Sequence, residues 1–200
     1  MSESWLDQRE YYKAFAKRIE PTSIIVSNVW LVWLWFIGVI LSLGVLIFAI
    51  PLKTFLARYS ITFGPVQGYP RAYSALAEST IVHEGNHTKQ VVAFGWLFPV
   101  LGWISRKLRV WVGLPFFAIT YFGLFPIPYL GFGRFYLELN ADKHTIAWML
   151  KQGRYPQSTV RDYVVSRALA LSSRSYVWAV SQRFALTKYN KLFLQAVANK

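Results

Sequence analysis

The longest apolar stretch of the chain has the length of a membrane-spanning helix. Residues 28–50 contain no charged side chain, and Pro51 follows them directly. A helix of about 20 apolar residues is long enough to cross the hydrocarbon core of a bilayer. Trp30, Trp33 and Trp35 lie near the N-terminal end of this stretch, where indole rings favour the lipid–water interface. The pattern predicts a single N-terminal transmembrane anchor.

The preceding segment, residues 1–27, is polar and contains both acidic and basic side chains. A cleaved signal peptide has a shorter apolar core and a basic start, so we expect the anchor to be retained. The cations that flank the anchor are Arg9, Lys13, Lys17 and Arg18 before it, and Lys53, Arg58 and Arg71 after it. Because these numbers are nearly equal, the excess of positive charge on cytoplasmic loops does not decide the side of the membrane.

A short strand and a helix are predicted after the anchor. Residues 59–70 alternate β-branched and aromatic side chains and contain two glycines and two prolines, a pattern typical of an edge strand that ends in a turn. Residues 74–95 are mostly good helix formers. Gly85 weakens that predicted helix by about 1 kcal/mol relative to alanine.

Two further apolar runs, residues 91–104 and 110–133, are separated by a short cationic stretch. The first is too short to span a bilayer as a regular helix, and Pro115 and two later prolines interrupt the second. We expect residues 91–133 to form an apolar insertion. Two arrangements remain open, a re-entrant or interfacial hairpin and a pair of helices packed on the domain.

The last third of the chain is predicted to be helical. One helix is expected over residues 135–151, ended by Gly153 and Pro156. Thr159 and Asp162 form a variant of the capping box and predict a further helix to about Ser172.

The composition favours a membrane protein with anionic partners. Of 200 residues, 54% are apolar and none is cysteine, which excludes disulfides and thiolate chemistry. The 22 Lys and Arg outnumber the nine Asp and Glu, giving a net charge of +13. Residues 152–200 form a basic helical C-terminal region with a single acid. On a chain with a membrane anchor, anionic lipid head groups are the expected partner rather than nucleic acid.

Residues 83–87 read His-Glu-Gly-Asn-His, which is the HExxH pattern. Positions i and i+4 lie one above the other on a helix, so the imidazoles of His83 and His87 can bind one metal ion. Glu84 follows the first histidine and can act as general base on water activated by the metal. The motif predicts a catalytic zinc site that needs a third protein ligand.

Acidic residues are so scarce that the third ligand has few candidates. Between residues 21 and 161 the acids are Glu78, Glu84, Glu138 and Asp142. Glu138 and Asp142 are four positions apart on the predicted helix 135–151. This spacing suits a carboxylate ligand with a second carboxylate one turn later, which can accept the ring N–H of a bound histidine.

HExxH followed some fifty residues later by ExxxD resembles the gluzincin metallopeptidases. The Glu-x-x-Ala-Asp form is similar to that of the membrane-associated heat-shock and prenyl-protein peptidases. The resemblance implies that Zn²⁺ is held by His83, His87 and Glu138. It also implies that Glu84 is the catalytic base and that Asp142 supports a zinc ligand without binding the metal itself. The Gly-Asn pair within the motif departs from those peptidases. Gln90 extends the motif to HExxHxxQ, as in some small zincin-like proteins.

The resemblance also implies a fold and a substrate site. It covers roughly residues 59–151, and implies a mainly α fold, an α+β minimal zincin core with a short edge-strand sheet over residues 51–151. In that family the edge strand, here residues 59–66 with Ile61 and Phe63, holds extended peptide beside the metal.

A gluzincin generally carries a downstream side chain that stabilises the oxyanion. The candidates in this sequence are His144, Arg154 and Tyr176. His144 is six positions after Glu138, about 240° round the helix from that ligand, so it does not share the ligand face.

A single metal site requires both motifs on one side of the membrane. His83 and His87 precede the apolar insertion, and Glu138 follows it. We therefore expect the insertion to cross the bilayer an even number of times or not at all, unless the site is intramembrane.

Two functions are consistent with these features. The first is a membrane-anchored zinc metallopeptidase acting on a peptide or protein. The second is a non-catalytic zincin-like membrane protein with a structural or assembly role and a vestigial or structural metal site.

Overall fold

A computed structural model of the chain describes residues 3–41, 51–70, 78–95, 105–122, 131–173, 176 and 179–199. These residues are mainly helical with a small three-stranded sheet, which confirms the predicted fold class at that level. The helices are α1 (Glu3–Ile19), α2 (Val32–Leu41), α3 (Leu52–Arg58), α4 (Glu78–Phe94), α5 (Arg106–Phe122), α6 (Phe132–Gln152), α7 (Gln157–Leu171) and α8 (Gln182–Ala198).

The sheet contains β1 (Ile24–Ser27), β2 (Ile61–Phe63) and β3 (Val66–Tyr69) in the order β1-β3-β2. β1 is parallel to β3, whereas β2 is antiparallel to β3 and pairs Thr62 with Gln67. The predicted strand in residues 59–70 is therefore a hairpin, and β2 lies at an edge of the sheet. Gly64 begins its turn with φ +60°, a left-handed conformation that favours glycine.

The helix that carries the HExxH motif packs between α1, α5 and α6. The lack of a side chain at Gly85 allows a close approach, since a Cβ there would lie 2.6 Å from Cγ2 of Ile19. On the α5 side, a Cβ at Gly113 would lie 1.9 Å from the carbonyl oxygen of Val91. Glycine at these two positions therefore sets how closely α1 and α5 approach α4.

The main hydrophobic core lies between α6, α7 and α8. Its largest fully buried side chains include Phe135, Ile146, Val160, Leu171 and Tyr189. This core holds α7 against α6, and the side chains of Tyr163 and Arg167 on α7 reach Asp142 on α6. A separate apolar cluster, formed by Val91, Val92, Val110 and Phe117, joins α4 to α5.

Several predicted element boundaries are confirmed and two details are wrong. Helix α6 contains the predicted helix 135–151, and Gly153 follows its last turn with φ +71°. The predicted capping box is wrong, because α7 starts at Gln157 with Pro156 at its N-cap, so Thr159 lies within the first turn of the helix and does not cap it. Pro115 does not break its helix, since α5 continues through it.

The predicted anchor falls partly outside the described residues. Asn28–Leu31 form a 3-10 helix that leads into α2, and residues 42–50 are not described. Across the described ranges, no helix has both the length and the apolar character needed to cross a bilayer. Parts of the apolar insertion, residues 96–104 and 123–130, also lie outside those ranges.

Candidate metal centre

The two motif histidines are buried and face each other across one turn of α4. Their ring centroids are 4.7 Å apart, and the two Nε2 atoms are separated by 3.1 Å. His83 and His87 are 6% and 4% exposed. The i, i+4 spacing of the motif thus places both ring nitrogens at one point, as the sequence predicts.

Helix α6 brings Glu138 to the same point. Its Oε2 lies 3.1 Å from Nε2 of His83 and 3.6 Å from Nε2 of His87. Potential ligand atoms of the three residues all lie within 4.8 Å of one another. Around a tetrahedral zinc ion with bonds of about 2.0–2.1 Å, neighbouring ligand atoms are roughly 3.3 Å apart. The three separations, 3.1, 3.1 and 3.6 Å, bracket that value, so the residues fit a zinc ion.

Gln90 determines which nitrogen of His87 carries the proton. Its Nε2 donates to the carbonyl oxygen of Leu137 at 2.8 Å and to Oδ1 of Asn140 at 3.1 Å, which fixes the amide orientation. Its Oε1, 2.9 Å from Nδ1 of His87, must then accept a proton from that nitrogen. When its ring carries a single proton, that proton therefore lies on Nδ1 and leaves Nε2 free to bind a metal ion.

Asp142 lies on the Nδ1 side of the His83 ring, away from the candidate metal position, as the spacing of Glu138 and Asp142 predicts. Nδ1 of His83 lies 2.9 Å from Oδ1 of Asp142, although its N–H direction is not well aligned with that oxygen. Burial lowers the pKa of His83, but the charge of Asp142 and hydrogen bonds to Asp142 and Glu138 outweigh burial and raise the pKa to about 10. Without metal, His83 is therefore protonated at neutral pH.

Asp142 is fully buried and accepts hydrogen bonds from several groups. The hydroxyl of Tyr163 lies 2.5 Å from its Oδ1, the hydroxyl of Tyr189 donates to Oδ2, and Nε of Arg167 donates to both oxygens. Burial raises the pKa of Asp142, but Arg167 and His83 outweigh it and lower the pKa below the ordinary range. Asp142 therefore stays ionised.

Both oxygens of Glu138 are also held in place. The hydroxyl of Tyr121 donates to Oε1 at 2.5 Å, and Nη2 of Arg167 donates to Oε2 at 2.6 Å. Burial raises the pKa of Glu138, but the neighbouring His87, His83 and Arg167 bring it well below its ordinary value. Glu138 is thus a fixed, anionic ligand candidate.

Glu84 points to the sheet side of α4. It is buried, and the hydroxyl of Thr62 on β2 donates to its Oε2 at 2.5 Å. Oγ1 of Thr62 also lies 3.3 Å from the backbone carbonyl oxygen of Glu84. The predicted edge strand, with Ile61 and Phe63 on either side of Thr62, therefore runs directly beside the candidate base.

The structure brings one of the three predicted oxyanion residues close to the site. The hydroxyl of Tyr176 accepts a hydrogen bond from Nη1 of Arg167 at 3.2 Å. His144 is exposed on α6, and Arg154 forms an ion pair with Glu78. Within the described ranges, neither His144 nor Arg154 contacts the three candidate ligands.

The sequence interpretation missed Arg167 and the tyrosines around the carboxylates. Arg167 appears there only as one of many cations of the basic C-terminal region. Tyr163 and Arg167 are four positions apart and border the buried apolar stripe of α7, formed by Val160, Val164, Ala168 and Leu171. That spacing was the available signal that both side chains face the core.

No family model, curated protein or solved structure matches this chain.

Proposed function

We propose that this protein is a zinc-dependent metallopeptidase. The observation that carries the proposal is the buried triangle of His83 Nε2, His87 Nε2 and Glu138 Oε2, with separations that suit tetrahedral coordination. Two imidazoles and one carboxylate are a ligand set of catalytic zinc, which keeps its fourth position for water or substrate. The hydrogen bond between Nδ1 of His87 and Gln90, and the ionised Glu138, support this assignment.

Glu84 is the proposed general base. When bound, zinc supplies Lewis-acid polarisation of a carbonyl and lowers the pKa of coordinated water towards about 7. The Glu84 carboxylate accepts a proton from the attacking water and later delivers it to the leaving amine. Because Thr62 holds Oε2 of Glu84, the other carboxylate oxygen is the one that moves the proton.

Strand β2 is the proposed binding edge for an extended peptide. β2 pairs with β3 on one side and lies at the end of the sheet order. An edge strand presents backbone N–H and C=O groups that an added strand can pair with. Since Thr62 reaches Glu84 from this strand, a peptide paired with Ile61 and Phe63 would run past the catalytic base.

We also propose that residues 28–50 anchor the protein in a membrane with anionic lipids. Trp30 and Ile40, on the described part of this segment, are 73% and 72% exposed. Helix α5 adds an exposed apolar stripe that contains Leu108, Trp111 and Ile119. Lipid would cover this apolar surface, and the net charge of +13 suits anionic head groups. Carbonate extraction of cell membranes that contain the protein tests the anchor. We expect an anchored protein to stay in the membrane pellet.

The experiment that tests the proposed catalysis is the Glu84→Gln variant of the full-length protein. We expect it to retain zinc and to lose hydrolysis of unfolded protein substrates, measured as newly formed amino termini. Glu10→Gln is the matched control, because Glu10 is an exposed carboxylate on α1 that forms an ion pair with its neighbour Lys13. Hydrolysis by Glu84→Gln at the wild-type rate would refute this mechanism.

A second function is favoured by the complete pairing of the buried carboxylates. Glu138 and Asp142 find cationic and hydroxyl partners within the protein itself. Such a network is compatible with a non-catalytic zincin-like protein that has a structural or assembly role. Under this alternative, zinc-loaded wild-type protein shows no hydrolysis, and His83→Ala leaves the cellular role intact.

A further inference from the structure

Arg167, on α7, is the cation shared by the two buried carboxylates of α6. Its Nε donates to Oδ1 and Oδ2 of Asp142 at 3.2 and 3.0 Å, and its Nη2 donates to Oε2 of Glu138 at 2.6 Å. Glu138 and Asp142 are 2% and 0% exposed, so bulk water cannot solvate their negative charges. An unpaired carboxylate in such a place is strongly destabilising.

The same guanidinium borders the candidate metal position. Oε2 of Glu138, which accepts from Arg167, is also the ligand oxygen nearest to His83 and His87. Nη2 of Arg167 lies 3.4 Å from Nε2 of His83. The charge of Arg167 therefore acts on the carboxylates that a metal ion would also neutralise.

The guanidinium of Arg167 both supplies a positive charge and fixes the orientation of the two carboxylates that it contacts. A guanidinium carries its donors in a planar fork and can bind two acceptors in a defined arrangement, which an ammonium group cannot do. Here the fork spans one helical turn, from Asp142 to Glu138, and Nη1 reaches the hydroxyl of Tyr176 at 3.2 Å. The fork thus holds the carboxylate ligand and the carboxylate behind His83 in register.

We propose that Arg167 is a positioning residue, the resident counter-ion that keeps the ligand carboxylates buried and aligned before metal binds. This inference rests on the proposed zinc site. The metal-free chain then folds with its ligands already assembled, instead of depending on metal for folding as small zinc domains do. In stabilising Glu138 and Asp142, the charges of Arg167 and of the metal are partly interchangeable.

The test compares thermal unfolding of full-length variants in excess chelator and in saturating zinc. In chelator, Arg167→Gln should unfold at a clearly lower temperature than the wild type or not fold at all. Zinc should raise the unfolding temperature of Arg167→Gln by more than it raises that of the wild type. Arg167→Lys, which keeps the charge and loses the fork, should give an intermediate zinc shift.

Arg161→Gln is the matched control, because Arg161 is an exposed cation on the same helix. It should reproduce the wild-type zinc shift. An arginine with only a general structural role would lower both unfolding temperatures equally, so an equal or smaller zinc shift in Arg167→Gln would overturn the inference. Failure of Arg167→Gln to fold in saturating zinc would overturn it as well.

The outcomes separate this inference from the proposed function. If zinc does not shift the wild-type unfolding temperature, the zinc site itself is wrong and both proposals fall. If the wild type shifts and Arg167→Gln behaves like Arg161→Gln, only the role of Arg167 is wrong. No measurement of hydrolysis enters the comparison.

Discussion

The hydroxyl of Thr62 on β2 donates a 2.5 Å hydrogen bond to Oε2 of Glu84 on α4. Gln67, the cross-strand partner of Thr62, donates to Oγ1 of Thr88 at 3.2 Å, one helical turn after Glu84. The sheet therefore contacts the motif helix through polar side chains at two successive turns. This arrangement fixes one oxygen of the candidate base.

Loss of the Thr62 hydroxyl should impair proton transfer without weakening substrate binding. We expect Thr62→Val, which keeps the branched shape, to lower kcat roughly tenfold and leave KM unchanged, because a general base contributes about 10²–10⁴-fold only when positioned. Thr62→Ser should restore most of the rate. Steady-state kinetics on a peptide substrate provides the check.

The control for this pair is Thr187→Val, which removes an exposed hydroxyl that donates to the carbonyl oxygen of Arg183 within α8. It should leave both constants unchanged. A KM change without a kcat change in Thr62→Val would show that the residue contacts substrate instead of orienting Glu84.

Gln90 should control the zinc affinity through the tautomer of His87. Gln90→Ala removes the acceptor that holds the proton on Nδ1, and loss of such a partner typically weakens metal binding about 10–100-fold. Competition with a chromophoric chelator measures the zinc Kd. Gln195→Ala, at an exposed position on α8, is the control and should bind zinc like the wild type. An unchanged Kd in Gln90→Ala would contradict the tautomer assignment.

The predictable part of the site is the part encoded by local spacing. His83 and His87 share a helix, as do Glu138 and Asp142, so helical geometry alone sets each pair. Few other carboxylates are available as a third ligand, so the sequence also predicts that these two helices meet at the metal site.

The rest depends on long-range packing. The parallel pairing of β1 with β3 joins segments about forty residues apart, and no short sequence pattern encodes such a partner. Arg167 reaches the site because the packing of α7 against α6 and α8 places the face of α7 that carries Arg167 towards α6. The tyrosines around Asp142 arrive from two different helices, so their convergence is likewise a property of the tertiary fold.

Zinc uptake should release a proton from His83. The pKa of His83 in the metal-free protein is raised to about 10, and a zinc ligand must be deprotonated. At pH 7.5 we expect about one proton released per zinc bound through this residue, so zinc affinity falls as the pH is lowered. Calorimetric titration in two buffers of different ionisation enthalpy measures the proton count. A zero proton count would contradict the protonated state of His83.

The same shift predicts how the stability of the metal-free protein depends on pH. A histidine whose folded pKa lies above its unfolded value stabilises the fold fully below about pH 6.5, and this contribution is lost as the pH rises through the folded pKa. In chelator, urea midpoints should therefore fall between pH 6.5 and 10. His83→Gln should show a flatter profile, and an equally steep one would assign the effect to other groups.

Gly113 should tolerate no side chain. A Cβ at this position would lie 1.9 Å from the carbonyl oxygen of Val91, and backbone atoms cannot move aside as the end of a flexible side chain can. We expect Gly113→Ala to destabilise the fold by about 2–3 kcal/mol through overpacking of α4 on α5. Chemical unfolding measures this loss, and stability equal to that of the wild type would contradict the observed helix spacing.

The proposed metal centre is one zinc ion held by His83, His87 and Glu138. Metal analysis and X-ray absorption at the zinc edge of the purified protein measure its metal content and its ligands. We expect one zinc per chain, with nitrogen and oxygen ligands at about 2.0–2.2 Å. We also expect His83→Ala and Glu138→Ala to lose the zinc and His144→Ala, which removes the exposed histidine of α6, to retain it. Zinc-free wild-type protein, or full zinc content in His83→Ala, would contradict this metal centre.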